Sequence, residues 1–309
     1  MKNGATPRLA VIIPTLNAGP EFASVLESLK RQTVPPETIV VIDSSSRDGT
    51  ADIARKSGCD VEVITREEFN HGGTRNRGAR KCKQDFLIYM TQDAIPARDD
   101  FLKNLIAPLV KGPAVAAYAR QLPRKDAYPP EVFARNFNYP EQSQVKALAD
   151  LPRLGIKAYF FSDVASAIRS DIFWKLGGFP EDVIMNEDML FCARMLKGGY
   201  EVAYEANALV IHSHNYGLAQ QFRRYFDIGV FRSRANELAG AGASGEGVRF
   251  VARQLRYLWG QREWRWIPFS TVEAACKFAA FHLGKNEWLL PRSVKRSLSM
   301  HKAFWLKKS

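Results

Sequence analysis

Short, almost wholly apolar segments alternate with amphipathic segments along the first hundred residues, and this alternation restricts the fold more than any other feature. The apolar runs are LAVIIP, TIVVID, VEVIT and DFLIYMT. The segments between them have helical spacing, with a capping residue such as Asp48 and a stop signal such as Gly58. Apolar strands separated by helices predict an α/β fold with a mostly parallel sheet covered by helices on both faces.

The remainder of the chain is less regular. Prolines are frequent in residues 113–180, which predicts loops over the edge of the sheet. A helix is then predicted from Asn186 as N-cap to Gly198, followed by a strand ending near LVI. We expect one α/β domain over residues 1–215 and a helical extension over residues 216–309, with a break at residues 239–247.

Composition excludes several classes of protein. The chain has 309 residues, of which 46% are hydrophobic and 25% are charged, as in a globular protein with a substantial core. No run of eighteen uncharged apolar residues is present, so no transmembrane helix is predicted, and the N-terminal residues lack the pattern of a signal peptide. Four scattered cysteines without a CxxC pair predict reduced thiols in a cytosolic protein.

Positive charge is concentrated at the C-terminal end. The chain carries a net charge of +12, and residues 215–309 hold 17 Lys and Arg against 6 Asp and Glu, together with five of the six tryptophans. This pattern predicts an anionic partner, and either nucleic acid or the cytoplasmic face of a membrane satisfies it. Basic, aromatic helices can lie on anionic lipid; a solvated helical cap and a homodimer contact are the alternatives.

Polar residues follow four of the predicted strands, where ligands of open parallel sheets bind. Neither GxGxxG nor a P-loop is present, which argues against a dinucleotide fingerprint and a Walker-type phosphate loop. Asp43 can accept the imide N–H of a pyrimidine base or can cap a turn. The residues that follow the strands include Thr15 and Asn17, then Asp43 and Ser45, then Arg66 and Arg75, then Gln92 and Asp93.

The fourth strand is followed directly by Asp93. A carboxylate beside a diphosphate is favourable when a divalent cation lies between them, and a helix N-cap is the alternative role. Arg75 and Lys81 on the preceding helix could add positive charge there, and Gly72-Gly73 could free backbone N–H groups for an anion.

Two further clusters carry possible chemistry. Glu187 and Asp188 lie in the first turn of the predicted helix, where a carboxylate either complements the helix dipole or serves as a general base. One member of the pair could face the cleft while the other pairs with a cation. His212 and His214 share one side of an extended strand, and either could contact a metal or a diphosphate.

In this order, VIIPTLNAG, VVIDSSSRDGT, Asp93 and NEDMLFCARMLKGGY resemble the family 2 inverting nucleotide-sugar glycosyltransferases with a GT-A fold. The segments EFNHGGTRNRGA and MTQDAIP are similar to the bacterial rhamnosyltransferase branch, whose enzymes build O-antigen and related polysaccharides. The resemblance covers about residues 8–215.

The resemblance implies a role for each matching residue. Pro14, Thr15, Asn17, Asp43 and Ser45 would line the nucleoside pocket. Arg75 would contact the nucleotide, and Asp93 would bind Mg²⁺ or Mn²⁺ with the donor diphosphate, assisted by His212 or His214. Gln92 departs from the acidic first position of the family's DXD motif, which makes the cation more dependent on other ligands. Asp188 would be the base, with Glu187 beside it.

The expected reaction is an inverting transfer, with L-rhamnose from dTDP-β-L-rhamnose as the favoured donor and UDP- or GDP-linked sugars as the alternative. The acceptor is expected to be a saccharide or a lipid-linked saccharide, with the enzyme in the cytoplasm and peripheral on the inner face of the cell membrane. No nucleic acid is expected as partner, since no known nucleic-acid-binding signature is present. A nucleic-acid-binding protein and a lipid-binding scaffold without catalysis remain the competing hypotheses.

Overall fold

The computed structural model describes residues 7–238, 240 and 245–306, so parts of the break predicted over 239–247 lie outside the described residues. The strands are β1 Leu9–Thr15, β2 Thr38–Asp43, β3 Asp60–Val63, β4 Phe86–Met90, β5 Ile95–Pro96, β6 Ala114–Leu122, β7 Gln144–Lys146, β8 Ala165–Arg169 and β9 Glu201–Ile211. The helices are α1 Phe22–Lys30, α2 Thr50–Lys56, α3 His71–Arg80, α4 Phe101–Lys111, α5 Pro129–Asn138, α6 Leu151–Leu154, α7 Ser170–Lys175, α8 Glu187–Lys197, α9 Leu218–Arg234, α10 Glu246–Gly260, α11 Trp266–Lys285 and α12 Arg292–Leu298.

All nine of these strands join one sheet in the order β3-β2-β1-β4-β8-β6-β9-β5, with β7 paired to β9. Strands β1 to β4 pair in parallel, and so do β6 and β9. Strand β8 is antiparallel to both β4 and β6, which leaves β4, β6 and β9 running in the same direction. The carboxyl ends of the parallel strands therefore meet at one edge of the sheet.

Strand β1 shows why these residues form a central strand. Leu9, Val11 and Ile13 belong to one buried cluster, which α1 and α4 cover. Ala10 and Ile12 belong to the cluster on the opposite face. Full burial of a side chain such as Ile13 is worth about 1.5–3 kcal/mol, and burial on both faces explains why residues 9–13 are all apolar. The predicted mostly parallel α/β sheet is confirmed.

The expectation of loops over residues 113–180 is wrong for β6 and β8. Strand β6 lies inside the sheet between β8 and β9. Its alanine-rich sequence AVAAYARQL has a single β-branched residue, Val115, so the usual strand signal is weak, and pairing with β8 and β9 together with packing against α4 fixes its conformation.

The extension packs against the α/β domain. Phe226, Val230 and Phe231 of α9 are buried in the same cluster as β1 and α8, so the α/β domain covers these side chains. Helices α9 and α11 approach closely where two glycines meet: a Cβ on Gly284 would lie 2.0 Å from the Phe226 carbonyl oxygen. Across the described residues, no helix combines the length and apolar character that spanning a bilayer requires.

Candidate active site

The edge where the parallel strands end collects nearly all of the predicted site residues. Thr15 and Asp43 end β1 and β2 side by side. Gln92 and Asp93 follow β4, and His212 follows β9. The residues share this edge because their strands run in the same direction. Their contacts divide them into three groups.

The first group forms a closed turn at the ends of β1 and β2. The Thr15 hydroxyl donates to Asp43 Oδ1 at 2.8 Å, and Ser46 donates its hydroxyl to Oδ1 at 2.6 Å and its N–H to Oδ2 at 2.9 Å. Asp43 is 1% exposed. The structure therefore gives Asp43 the turn-capping role, and contact with a base stays a prediction.

The loops on either side of this turn are joined as well. Asn17 has φ 48°, and its N–H donates to Ser46 Oγ at 2.8 Å while its Oδ1 accepts from the N–H of Arg47 at 2.9 Å. Ser45 has φ 57° and donates its hydroxyl to the Ile64 carbonyl. Pro14 is half-buried beside them in β1. Their role in a nucleoside pocket stays a prediction.

Gln92 connects the β1 loop to the loop after β4. Its Oε1 accepts the Leu16 N–H at 2.7 Å, and its Nε2 donates to the Leu16 carbonyl at 3.2 Å. A carboxylate could not make the second of these bonds, because it has no N–H or O–H to donate when ionised. The glutamine at this position therefore allows both hydrogen bonds to the Leu16 backbone, where an ionised acidic residue would allow one.

The second group is a cluster of one carboxylate and two imidazoles. His212 Nε2 lies 3.6 Å from Asp93 Oδ1, and His214 Nε2 lies 3.4 Å from Asp93 Oδ2. All three potential ligand atoms lie within 4.8 Å of one another. The prediction that His212 and His214 share one side is confirmed, and both reach Asp93.

The surroundings of His212 favour a metal ligand. Its Nδ1 is 2.9 Å from Gln121 Oε1, which can only accept, so Nδ1 carries the hydrogen and Nε2 presents a lone pair toward Asp93. Desolvation lowers the pKa of His212 from 6.5 to about 3, which keeps the imidazole neutral. One carboxylate oxygen and two imidazole nitrogens suit Mn²⁺, and the residues present fit such an ion.

The third group contains the acid pair at the start of α8. Asn186 precedes the helix with φ 59°, and Glu187 and Asp188 form its first turn, as predicted. Glu187 is 3% exposed and lies 3.1 Å from Arg75 Nη1. Asp188 is partly exposed and accepts the N–H groups of Met189 at 2.7 Å and Asp163 at 3.2 Å. The two carboxylates therefore have different surroundings: Glu187 forms a buried ion pair with Arg75, and Asp188 keeps part of its surface accessible to solvent.

Arg75 is buried among the acidic side chains near the start of α8. Its Nε is 2.6 Å from Asp163 Oδ2, its Nη1 donates to the His71 carbonyl at 3.0 Å, and the residue is 5% exposed. Two carboxylates and a carbonyl surround the guanidinium, which thereby neutralises the acid cluster formed by Asp163, Glu187 and Asp188. The contact of Arg75 with the nucleotide stays a prediction.

Asp163, which precedes β8, is a site residue that the sequence analysis missed. Desolvation and the Asp163 carboxylate raise the pKa of Asp188 from 3.8 to about 7 and raise that of Glu187 well above its usual range. A carboxyl with a pKa near 7 is suited to accept a proton at neutral pH.

Gln121, at the end of β6, links the metal cluster to the acid pair and was also missed. Its Oε1 faces His212, and its Nε2 donates to Ser162 Oγ at 2.9 Å. Ser162 adjoins Asp163, whose N–H donates to Asp188. Three hydrogen bonds and the peptide unit between Ser162 and Asp163 thus join the clusters, which therefore belong to one site.

Arg224 of α9 is the third residue that was missed. Its positive charge contributes to lowering the pKa of His71, His212, His214 and His301, which places it near both clusters. Among the described residues, no carboxylate forms an ion pair with Arg224. Its guanidinium lies 5.8 Å from the centre of the Tyr216 ring, which stacks on His214.

The remaining basic and glycine residues of α3 have other roles. Lys81 pairs with Asp60 at 3.0 Å and so does not serve the site. Gly73 donates its N–H to Asn70 Oδ1 at 2.7 Å. A Cβ on Gly72 would lie 2.0 Å from the Pro180 carbonyl oxygen, so this glycine allows a close backbone approach. The Gly73 N–H is thus already paired within the loop, and anion binding by Gly72-Gly73 stays a prediction.

Solved structures share this architecture. The structure is similar to a mannosyltransferase, PcManGT from Pyrobaculum calidifontis, in complex with GDP-Man and Mn²⁺, with a TM-score of 0.58 and 18% identity over 98% of this chain and 86% of that one. It is also similar to Staphylococcus aureus TarS in complex with UDP-GlcNAc, with a TM-score of 0.53 and 15% identity over 91% of each chain. These likenesses show the GT-A fold.

Sequence relatives extend over nearly the whole chain. The O-antigen chain rhamnosyltransferase RfbN of Salmonella typhimurium is 43% identical over 302 residues, covering 96% of each chain. The O-antigen chain rhamnosyltransferase WbaN of Salmonella anatum is 40% identical, covering 97% of this chain and 96% of its own. Residues 10–177 match the family model of glycosyl transferase family 2. The chain belongs to glycosyl transferase family 2.

Proposed function

We propose that this protein is an inverting rhamnosyltransferase, which moves L-rhamnose from dTDP-β-L-rhamnose to a saccharide acceptor during the synthesis of a cell-surface polysaccharide. One observation carries the proposal. Hydrogen bonds through Gln121 connect the cation cluster of Asp93, His212 and His214 with the carboxyl of Asp188, whose pKa is raised to about 7. Inverting sugar transfer needs both groups on opposite sides of one anomeric carbon.

The chemistry assigns Asp188 the proton transfer. Its carboxylate removes the proton of an acceptor hydroxyl as the oxygen attacks the anomeric carbon from the side opposite the leaving nucleoside diphosphate. The bond to the diphosphate oxygen breaks, the electron pair leaves with that oxygen, and the configuration at the anomeric carbon inverts. Asp163 keeps the pKa of Asp188 in a useful range, and Arg75 holds Glu187 in place.

The cation cluster and Arg224 serve the leaving group. Asp93, His212 and His214 would hold Mg²⁺ or Mn²⁺, which supplies Lewis-acid stabilisation of the diphosphate when bound. Arg224 adds a fixed positive charge near the same place. Ring stacking with Tyr216, with centroids 5.0 Å apart, holds His214 in position.

The donor can be tested by thermal shift with matched nucleotide sugars. We expect dTDP-rhamnose with Mn²⁺ to raise the melting temperature most, because a ligand at 100 times its Kd stabilises the folded state by about 2.7 kcal/mol. UDP-glucose and GDP-mannose serve as comparisons. Mass spectrometry should then detect a rhamnosylated acceptor and dTDP as products.

An equal or larger increase in melting temperature with UDP-glucose or GDP-mannose, accompanied by transfer of that sugar, would show that the donor is not dTDP-rhamnose. The absence of transfer from every nucleotide sugar, despite Mn²⁺ and a panel of acceptors, would refute the proposed activity.

The outer face of the extension supports a lipid-linked acceptor at the inner face of the cell membrane. We call this face the α11 surface: it comprises the exposed, mainly apolar stripe of α11 and the exposed residues at its two ends. Trp264 before the helix is 58% exposed, Phe278 within it is 67% exposed, and Trp288 after it is 72% exposed. Exposed Arg265 and Lys285 flank the stripe. Interfacial tryptophans with basic residues suit an anionic bilayer surface.

Vesicle sedimentation tests the α11 surface. We expect the full chain to sediment with vesicles rich in phosphatidylglycerol and to stay in solution with phosphatidylcholine, because each basic residue near an anionic surface contributes about 1 kcal/mol. Replacing Trp264 and Trp288 together by alanine should reduce the bound fraction severalfold, and raising the salt concentration should do the same.

Trp174→Ala is the matched control, since this sixth tryptophan is exposed on α7, away from the extension. Equal sedimentation of the paired variant and the control would exclude the α11 surface as a membrane contact. A concentration-dependent dimer that the paired substitution abolishes would identify the same face as a contact between copies.

A further inference from the structure

The C-terminal segment, residues 299–306, returns to the acid cluster and is held there by a buried carboxylate. Asp227 of α9 is 0% exposed, and its Oδ2 accepts the N–H groups of Met300 at 2.8 Å and His301 at 3.3 Å. Ser299 is also fully buried, and its hydroxyl oxygen accepts the His301 N–H at 2.9 Å. A buried carboxylate that accepts two backbone N–H groups fixes the backbone on both sides of His301.

The far side of the segment is fixed as well. Trp305 is 6% exposed, so it lies in the core rather than on the surface expected for the tryptophans of the extension. Arg234 and Lys295 each lie 5.4 Å from the centre of its ring, and Arg292 donates to its carbonyl. The position of His301 is therefore set from both directions along the chain.

The held histidine meets the first residue of α3. His301 Nδ1 is 3.1 Å from His71 Nε2, and the two rings make an edge contact with centroids 4.5 Å apart. Phe69 packs against another side of the His71 ring at 5.0 Å. Because burial lowers the pKa of both histidines, two neutral imidazoles share one N–H in a single hydrogen bond.

His71 is in turn joined to the acid cluster by two routes. Its Nδ1 lies 3.9 Å from Glu187 Oε1, and its backbone carbonyl accepts Arg75 Nη1 at 3.0 Å. Movement of His71 would thus disturb the acid neighbouring Asp188 and also the arginine that neutralises that acid.

We propose that His301 is a positioning residue of the active site: held by Asp227, it fixes the His71 ring against Glu187 and so sets the geometry of the acid pair. The inference rests on the proposed transfer reaction. It assigns the C-terminal segment a part in catalysis that is separate from any contact of the α11 surface with lipid.

Two substitutions with opposite expectations test the hydrogen bond. His301→Phe keeps the ring and its packing but removes Nδ1, whereas His301→Asn keeps a polar group near the position of Nδ1. We expect His301→Phe to lower kcat about tenfold while the KM for the nucleotide sugar changes less than twofold, because a small displacement of catalytic groups costs that much or more. His301→Asn should recover most of the lost kcat.

A double-mutant cycle with His71→Asn adds a measurement that tolerates partial loss of stability. If the two histidines act as one unit, the paired variant should lose little more kcat than the more impaired single variant. Lys302→Gln is the matched control, because Lys302 adjoins His301 and is exposed, and it should retain the wild-type kcat. Melting temperatures identify any variant that is unfolded at the assay temperature.

The outcomes separate the two proposals. A wild-type enzyme that transfers sugar, with a His301→Phe variant of equal kcat, would overturn the positioning role alone. Equal losses in His301→Phe and His301→Asn, or fully multiplicative losses in the cycle, would also overturn it, since packing would then explain the effect. A wild-type enzyme without transfer from any donor would overturn the proposed function instead.

Discussion

Replacing Asp188 by asparagine is expected to lower kcat for sugar transfer by about 1,000-fold, because the amide cannot take the proton of the acceptor hydroxyl. Asparagine has the same shape but only one acceptor oxygen, so it keeps one of the two N–H groups that the separate carboxylate oxygens accept from Asp163 and Met189, and the melting temperature checks that the fold persists. Donor affinity should change little, since the proton transfer belongs to the chemical step. Steady-state kinetics and a thermal shift with the donor measure the two quantities.

The same assignment predicts the pH dependence. Asp188 acts as a base when it is deprotonated, and its pKa is raised to about 7, so kcat should rise with pH through about 7 and then level off. Replacing Asp163 by asparagine removes the neighbouring negative charge that raises this pKa. The rising limb should therefore move to lower pH in Asp163→Asn.

Asp182→Asn provides the control for Asp188→Asn, because Asp182 is an exposed carboxylate in the loop before α8. It should leave kcat within twofold of the wild type. Retention of more than a tenth of the wild-type kcat by Asp188→Asn, with the rising limb unchanged, would assign the proton transfer to another group.

Replacing Asp93 by asparagine is the second change with a large expected effect. The substitution removes the only carboxylate of the cation cluster found in the described part of the chain. We expect a loss of about 1,000-fold in kcat/KM, because the Lewis-acid contribution of a bound metal is worth several kcal/mol. Binding of Mn²⁺ in the presence of dTDP, followed by electron paramagnetic resonance, should weaken in parallel.

Asp99→Asn is the matched control, since Asp99 is an exposed carboxylate in the next loop, between β5 and α4. It should preserve both Mn²⁺ binding and transfer. If Asp93→Asn bound Mn²⁺ as the wild type does, or if chelation left wild-type transfer intact, the cluster would have no role as a cation site.

Local patterns were sufficient to predict the residues at the strand ends. Thr15, Asp43 and Asp93 each follow an apolar run, and the parallel direction of their strands brings them to one edge. The HxH spacing correctly placed His212 and His214 on one side, because extended residues two positions apart face the same way. These inferences needed only neighbouring residues in the sequence.

The residues that were missed depend on contacts far apart in the chain. Gln121 ends an alanine-rich strand without the usual strand signal, and Asp163 precedes β8 without a motif. Arg224 and His301 come from the extension, where their basic and aromatic neighbours predicted a surface. The motif around Arg75 predicts its position near the site. Its observed partners are the distant residues Asp163 and Glu187 and the His71 carbonyl one helical turn away, and the motif does not reveal them.

The division at residue 215 stays a prediction, and the packing shows that the two parts are closely joined. Buried side chains of α9 and Trp305 share one apolar cluster with the α/β domain. Amphipathic periodicity indicated helices in the extension, but only the packed structure shows which of its faces are covered.

The amide at position 92 has a consequence for the order in which ligands assemble. With Gln92 bound to Leu16, the possible ligand set offers one formal negative charge and two neutral rings, which leaves a divalent ion with an excess of +1. The nucleotide's own phosphate oxygens would have to compensate that excess. Binding of the cation should consequently raise the affinity for the nucleotide sugar, and binding of the nucleotide sugar should raise the affinity for the cation. The two ligands should therefore bind together, with little cation bound in the absence of the nucleotide sugar.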